Sequence, residues 1–323
     1  MVAVRWLATL KTSMITTPTA SAPFTGRRPW DDFRHVYPVV SRRTGGVSIG
    51  INLNPDQVCN FGCVYCEVDR RSSTHGGEVS LDTLANELRL LLGLARTGEL
   101  FQYAPFVQVP PAWRRLSAIA FSGDGEPTTC PVFAQAMALA VRLRNENAPR
   151  DTKVVLITNS ACLDRPGVQL GLHTLVQGAH EIWAKLDAGT ESHFKTVNRS
   201  AVSYVRILQN LADTARRFPL FVQSLFLKVR GSGPTMDEIE AYCDQIDEVL
   251  AADGRILGLQ LNTVARTPAE SWAAALTNEE LDTLARRIKQ RNGLPQQLGY
   301  GGSFHVSRQA GRAARVAAKG PAS

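Results

Sequence analysis

Cys59-Asn-Phe-Gly-Cys63-Val-Tyr-Cys66 places three cysteines within eight residues, shortly after an apolar run, Gly46–Leu53, that reads as a strand. Thiolates so close in sequence can point at one centre, and soft sulfur ligands select iron–sulfur clusters, zinc or copper. A four-iron cluster takes four ligands, so three cysteines leave one iron open to a group that is not protein. The same spacing also suits zinc knuckles and ferredoxin clusters, which need a fourth protein ligand. The nearest candidate is His75, in the stretch Arg70–Gly77, which reads as an exposed loop. That setting speaks against zinc.

About 60 residues after the triplet comes a second segment, Ser122-Gly-Asp-Gly-Glu-Pro-Thr128. It follows the apolar run Leu116–Phe121, which reads as a buried strand. Gly123 and Gly125 permit backbone conformations and a close approach that a side chain would block, and Pro127 stops the strand. Alone, such a segment is a polar turn between strand and helix.

The rest of the chain keeps a strand–helix rhythm. After a first helix from a Ser80 cap to about Arg96, strand Leu116–Phe121 precedes helix Val132–Asn145, and strand Lys153–Thr158 precedes helix Val168–Gln177. Strand Glu181–Asp187, helix Ala201–Arg217, strand Leu220–Val229 and helix Thr235–Leu250 follow, then strand Ile256–Asn262 and helix Asn278–Arg291. Thr235-x-x-Glu238 and Thr277-x-x-Glu280 are both capping-box patterns. Six alternations predict an α/β fold with a parallel sheet, because each crossover returns the chain to the same end. Active-site groups then gather at the carboxyl ends of the strands. Those positions are Asn159 and Ser160, Lys185 and Asp187, Gln223, and Asn262 followed by Arg266. Lys185 and Asp187 share strand parity and face the same side. Gly98–Arg115, with Phe101, Tyr103, Phe106 and Trp113, reads as a packed loop that covers the mouth or packs on the side.

The cysteine triplet, Tyr65 before its last cysteine, and the Gly-rich segment together resemble the radical S-adenosylmethionine (radical SAM) superfamily. The resemblance implies a partial (β/α)6, TIM-like barrel carrying a 4Fe-4S cluster on Cys59, Cys63 and Cys66. The open iron chelates S-adenosylmethionine, and one electron from the reduced cluster gives a 5′-deoxyadenosyl radical that abstracts hydrogen from a substrate. It further implies that Tyr65 and Gly123, Asp124, Gly125 and Glu126 surround the cofactor. Asn159, Asp187 and Gln223 then hold its ribose and carboxylate, and an external reductant of flavodoxin or ferredoxin type supplies the electron. At finer grain the chain is similar to wyosine-type tRNA-modifying enzymes. Ser122–Thr128, Lys185-Leu-Asp-Ala188 with Val197-Asn-Arg199, and Thr263–Glu270 carry that likeness, which covers Gly46 to Arg291. It departs from that branch in having no cysteine before Cys59 and no room for a flavodoxin-like domain. The core chemistry transfers; the substrate does not.

The formal charge is +7, yet Thr283–Ser323 holds eight Lys/Arg and no Asp or Glu, leaving 28 basic against 29 acidic residues elsewhere. A basic terminal segment suits contact with RNA and equally suits a solvated tail. The expected organisation is a disordered segment over 1–40, a core over 41–292 and a basic tail over 293–323. The start is not a secretory signal, and no stretch suits a membrane span, so a cytoplasmic protein is expected. Cys130, Cys162 and Cys243 lack close-spaced partners and read as small buried hydrophobes, with no disulfides. Three classes of function stay open: a radical SAM enzyme, an iron–sulfur electron carrier, and a zinc-stapled RNA-binding protein.

Overall fold

The computed structural model describes residues 27–41, 44–68, 70 and 77–300. The strands are β1 (Val36–Ser41), β2 (Gly46–Ile51), β3 (Leu116–Phe121), β4 (Lys153–Thr158), β5 (His180–Lys185), β6 (Leu220–Leu225), β7 (Leu227–Val229), β8 (Ile256–Asn262), β9 (Ala273–Ala275) and β10 (Gln296–Gly299). The helices are α1 (Leu81–Thr97), α2 (Phe133–Asn147), α3 (Pro166–Leu175), α4 (Glu191–Val197), α5 (Tyr204–Arg217), α6 (Met236–Ala251) and α7 (Asn278–Asn292). Eight strands form one curled sheet in the order β1-β2-β3-β4-β5-β6-β8-β10. β1 runs antiparallel to β2, and the other pairs are parallel. The parallel sheet expected from the rhythm is present, curled into the partial, TIM-like barrel that the resemblance implied.

Parallel strands covered on both faces read as continuous apolar runs, and these strands divide by parity. Val154, Leu156, Ile182, Ala184, Val222, Leu259 and Leu261 join the main core under the helices. Ala118, Val155 and Trp183 form a smaller cluster on the opposite, inner face, flanked by Ala120, Ile157 and Phe221. Ser80 caps α1 through the Thr83 N–H, and Gly98, at φ +79°, ends it in the left-handed conformation that glycine adopts freely. The Thr277–Glu280 capping box on α7 is complete. The one read at Thr235 is half-formed. Thr235 accepts from the Glu238 N–H, but the Glu238 carboxylate accepts from Gly189 N at 2.5 Å and Thr190 Oγ1 at 2.6 Å. A buried tertiary partner replaced the local one.

The ordered core passes both expected limits. β1 and the buried Trp30 lie where disorder was expected, and β10 lies where the tail was expected. Pro38, which has no N–H to donate, is tolerated because β1 is an edge strand. The strand read as Leu220–Val229 breaks where Phe226 N donates to Asn262 O, and β7 turns away to pair with β9. The helix read from Ala201 starts at Tyr204 under a Ser203 cap, with α4 inserted before it. Gly98–Arg115 forms three short 3-10 turns and packs on the side, Trp30 lying 5.1 Å from Tyr103 and 5.8 Å from Phe106. No helix among the described residues is long and apolar enough to cross a membrane. The remaining expectations for 1–26, His75 and 301–323 lie outside the described residues.

Candidate functional site

From β2 the chain runs through Asn52–Val58 into the cysteine loop, which the segment after α4 grips from one side. Gly62 N donates to Asn198 O at 3.0 Å, Val64 N to Val197 O at 2.9 Å, and Ser200 Oγ to Asn60 O at 2.9 Å. The β7–β9 lobe holds the other side, where Glu270 N donates to Val64 O at 3.1 Å. Val64 and Tyr65 pack there with Val197, Leu227, Val264 and Ala273. Gln57, Ser160 and Arg199, at φ +65°, +68° and +47°, border the loop in the left-handed region. Each costs roughly 1 kcal/mol or more and persists only where its surroundings hold it.

All six cysteines are free, with the triplet half-buried and Cys130, Cys162 and Cys243 buried. Among the described residues no three His, Cys, Asp or Glu side chains form a site for a metal ion. Three half-buried thiols on one loop are soft donors of the kind an iron–sulfur cluster takes. Cys63 Sγ accepts from Asn198 Nδ2 at 3.5 Å and Cys66 Sγ from Arg70 Nη2 at 3.6 Å. Burial pushes the Cys59 and Cys63 thiols up.

The three thiols share one cationic neighbour, Lys185. Burial pulls its pKa down, but Asp187 first, then Cys63, Cys66 and Cys59, outweigh that and hold it above the usual lysine value. Lys185 Nζ donates to the Tyr65 hydroxyl at 2.6 Å and lies 3.6 Å from Asp187 Oδ2. The Tyr65 hydroxyl donates to Asp187, and burial followed by Asp187 drives the phenol well above its ordinary pKa. Asp187 also accepts from Asn198 Nδ2 at 2.8 Å and Leu225 N at 3.0 Å. The shared parity of Lys185 and Asp187 thus places both at the site, as a pair.

Opposite this knot, the Gly-rich loop leans on the cysteine loop. A Cβ on Gly123 would overlap Asn52, and one on Gly125 would overlap the carbonyl of Val58 and the side chain of Asn54. Neither glycine has positive φ. It is the chain's own neighbouring loop that needs the missing side chains. Asn52 Nδ2 donates to Asp124 at 2.8 Å, and Asp124 N to Asn52 Oδ1 at 3.1 Å. The Glu126 carboxylate is buried among neutral donors: Thr128 N at 3.1 Å, Thr128 Oγ1 at 2.5 Å, Thr158 Oγ1 at 2.7 Å and Asn159 N at 2.7 Å. Burial raises its pKa against the pull of those bonds. Asn159 Nδ2 reaches Asn60 beside Cys59 at 2.7 Å, so Glu126 and Asn159 brace the loop rather than line open space.

A cavity of about 610 Å³ fills the inner side of the sheet, within the usual range for ligand sites. Ala118, Ala120, Val155, Ile157 and Trp183 form its apolar floor, with Ser122, Gln260 and Asn262 at its polar edge. Of the residues selected from sequence, Tyr65, Gly123, Asn262 and Arg266 line it. Gln223 meets it indirectly, donating from Nε2 to Gln260 Oε1 at 2.8 Å. Asn52, Asn60, Gln260 and the role of Asn198 escaped the sequence reading. Isolated amides carry no pattern of their own, although the position of Gln260 near a strand's carboxyl end was a usable signal.

No family model matches the chain. Among curated proteins it is 24% identical over 252 residues to a GTPase Obg of Brachyspira hyodysenteriae, covering 76% of this chain but only 32% of that protein. The chain therefore spans about a third of that relative's length. It is 23% identical over 254 residues to a UPF0026 protein of Helicobacter pylori, covering 76% of this chain and 70% of that one. Among solved structures it is similar to Streptococcus suis SuiB bound to precursor peptide SuiA, with TM-score 0.52, 12% identity and coverage of 77% and 48%. A spore photoproduct lyase mutant gives TM-score 0.51, 12% identity and coverage of 84% and 80%. TYW1 with a lysine-pyruvate adduct bound gives 0.49, 17%, 75% and 73%, too shallow to single out a branch. The fold is that of radical SAM enzymes.

Proposed function

We propose that the chain is an iron–sulfur enzyme that cleaves S-adenosylmethionine reductively and takes hydrogen from a substrate. The observation that carries this reading is three free, half-buried thiols on one loop, within the electrostatic reach of the half-buried Lys185, at the carboxyl ends of a partial barrel with a cavity beside them. Cys59, Cys63 and Cys66 would hold a 4Fe-4S cluster, which when bound would supply the electron for cleaving the cofactor's carbon–sulfur bond. The chain's own residues do the rest. Lys185 keeps a fixed positive charge beside the thiolates, Asp187 and Tyr65 hold that charge in place, and Val64, Val197 and Leu227 keep water from the back of the loop. Asp124, Gly125 and Glu126 fix the loop behind Gly123, and the small Ala118 and Ala120 leave the cavity its depth. Gln223 orients Gln260 at its wall. The electron comes from an external flavodoxin- or ferredoxin-type donor, and the basic Thr283–Ser323 stretch makes RNA the first substrate class to try.

Anaerobic reconstitution with iron and sulfide, followed by dithionite and S-adenosylmethionine, tests this by release of 5′-deoxyadenosine. Reductant-dependent release that Cys63→Ala abolishes is expected. A cluster that forms yet never cleaves the cofactor would mean an electron carrier instead.

A further inference from the structure

Asn198 closes α4 and is 1% exposed. Its amide nitrogen lies 2.8 Å from Asp187 Oδ2 and 3.5 Å from Cys63 Sγ, so one NH2 group serves a carboxylate and a sulfur. The amide oxygen is buried with no hydrogen-bond partner. Leaving a buried carbonyl unsatisfied is costly, but the reversed amide would aim that oxygen at both negative groups. The donors therefore fix the orientation. The backbone is equally constrained, since Asn198 N donates to Phe194 O at 2.8 Å while its carbonyl accepts from Gly62.

We infer that Asn198 is a positioning residue for the iron–sulfur centre, raising its reduction potential by donating an N–H to the Cys63 sulfur while anchoring Asp187 beside Lys185. The inference rests on the proposed ligand role of the three cysteines. A donor at a thiolate sulfur withdraws electron density and favours the more negative, reduced cluster, and such bonds are among the protein's means of setting potentials. The bond from Arg70 to Cys66 is exposed, where water competes. That from Asn198 is part-buried on a side chain itself 1% exposed, where fewer waters compete and a lower dielectric strengthens it.

The test is a potentiometric titration of the anaerobically reconstituted full chain, read by electron paramagnetic resonance of the reduced cluster. Asn198→Leu is expected to lower the midpoint potential. Asn198→Asp, which also adds a negative charge, lowers it further. Thr196→Ala, an exposed change on the same helix, leaves it where it was. Unchanged potentials in cluster-loaded Asn198→Leu and Asn198→Asp overturn the inference. Should those variants fail to load iron, Asn198→Gln decides, because it keeps the N–H donors on a longer arm. Restored loading with an intermediate potential supports the role, whereas failure there makes Asn198 a folding residue and overturns it. A wild-type chain that takes up no cluster is the separate failure of the proposed function, and removes the inference with it.

Discussion

On the β3–β4 flank of the cavity, the buried Glu126 carboxylate is satisfied by neutral donors from Thr128, Thr158 and Asn159. On the β5–β6 flank, the equally buried Asp187 accepts from Tyr65, Asn198 and Leu225 and faces the Lys185 ammonium at 3.6 Å. Both flanks bury a carboxylate, but with opposite consequences. Neutral hydrogen bonds are short-ranged and fix shape, so the first flank is a brace. A charge pair partly shielded from water acts over a longer range, and Lys185, its side chain 21% exposed, is coupled to all three thiols. One side sets geometry; the other sets electrostatics.

Removing the anionic half of the charged flank is expected to do most damage. Asp187→Ala strands Lys185 and Tyr65, and breaking such a buried pair costs about 3 kcal/mol or more. Urea denaturation measures this, and a cost no greater than that of Glu126→Ala would erase the distinction. Next comes Glu126→Gln, whose NH2 must face either a threonine or the Asn159 N–H. One mismatched donor pair predicts a loss of about 1–3 kcal/mol, with the iron-loaded spectrum unchanged if the flank only braces.

A pH series sharpens the same contrast. Burial holds the Glu126 pKa above its unfolded value. Between those two values the folded state binds the proton that the unfolded state has released, so stability falls as pH rises. Relative to Glu126→Gln, wild type should therefore gain stability as pH drops from neutral toward the usual glutamate pKa of about 4.3. Melting curves that run parallel across that window would count against it. The smallest effect belongs to Glu67 and Arg266, an ion pair at the cavity rim with side chains 42% and 44% exposed. Glu67→Gln is expected to cost about 0.5 kcal/mol or less, and to cost nothing measurable in high salt.

The brace was the more legible flank. Gly123, Gly125, Glu126 and Pro127 form a contiguous segment after an apolar strand, and contiguity is what a sequence displays. The parallel rhythm was legible for the same reason, since each strand and its crossover helix are neighbours in the chain. The charged flank joins Tyr65 to residues 120 and 122 positions later, and Cys63 to one 135 later. Parity could put Lys185 and Asp187 on one side, but only folding could add Asn198. β1 was hidden by its proline and β10 by its short, glutamine-rich strand. The half-formed capping box at Thr235 shows the reverse error, a local pattern overridden when Gly189 came within reach of Glu238.

Gly123 and Gly125 carry a mechanical consequence. A side chain at either position would have to push the Gly-rich loop off Asn52, Asn54 and Val58, in the stretch that leads into Cys59.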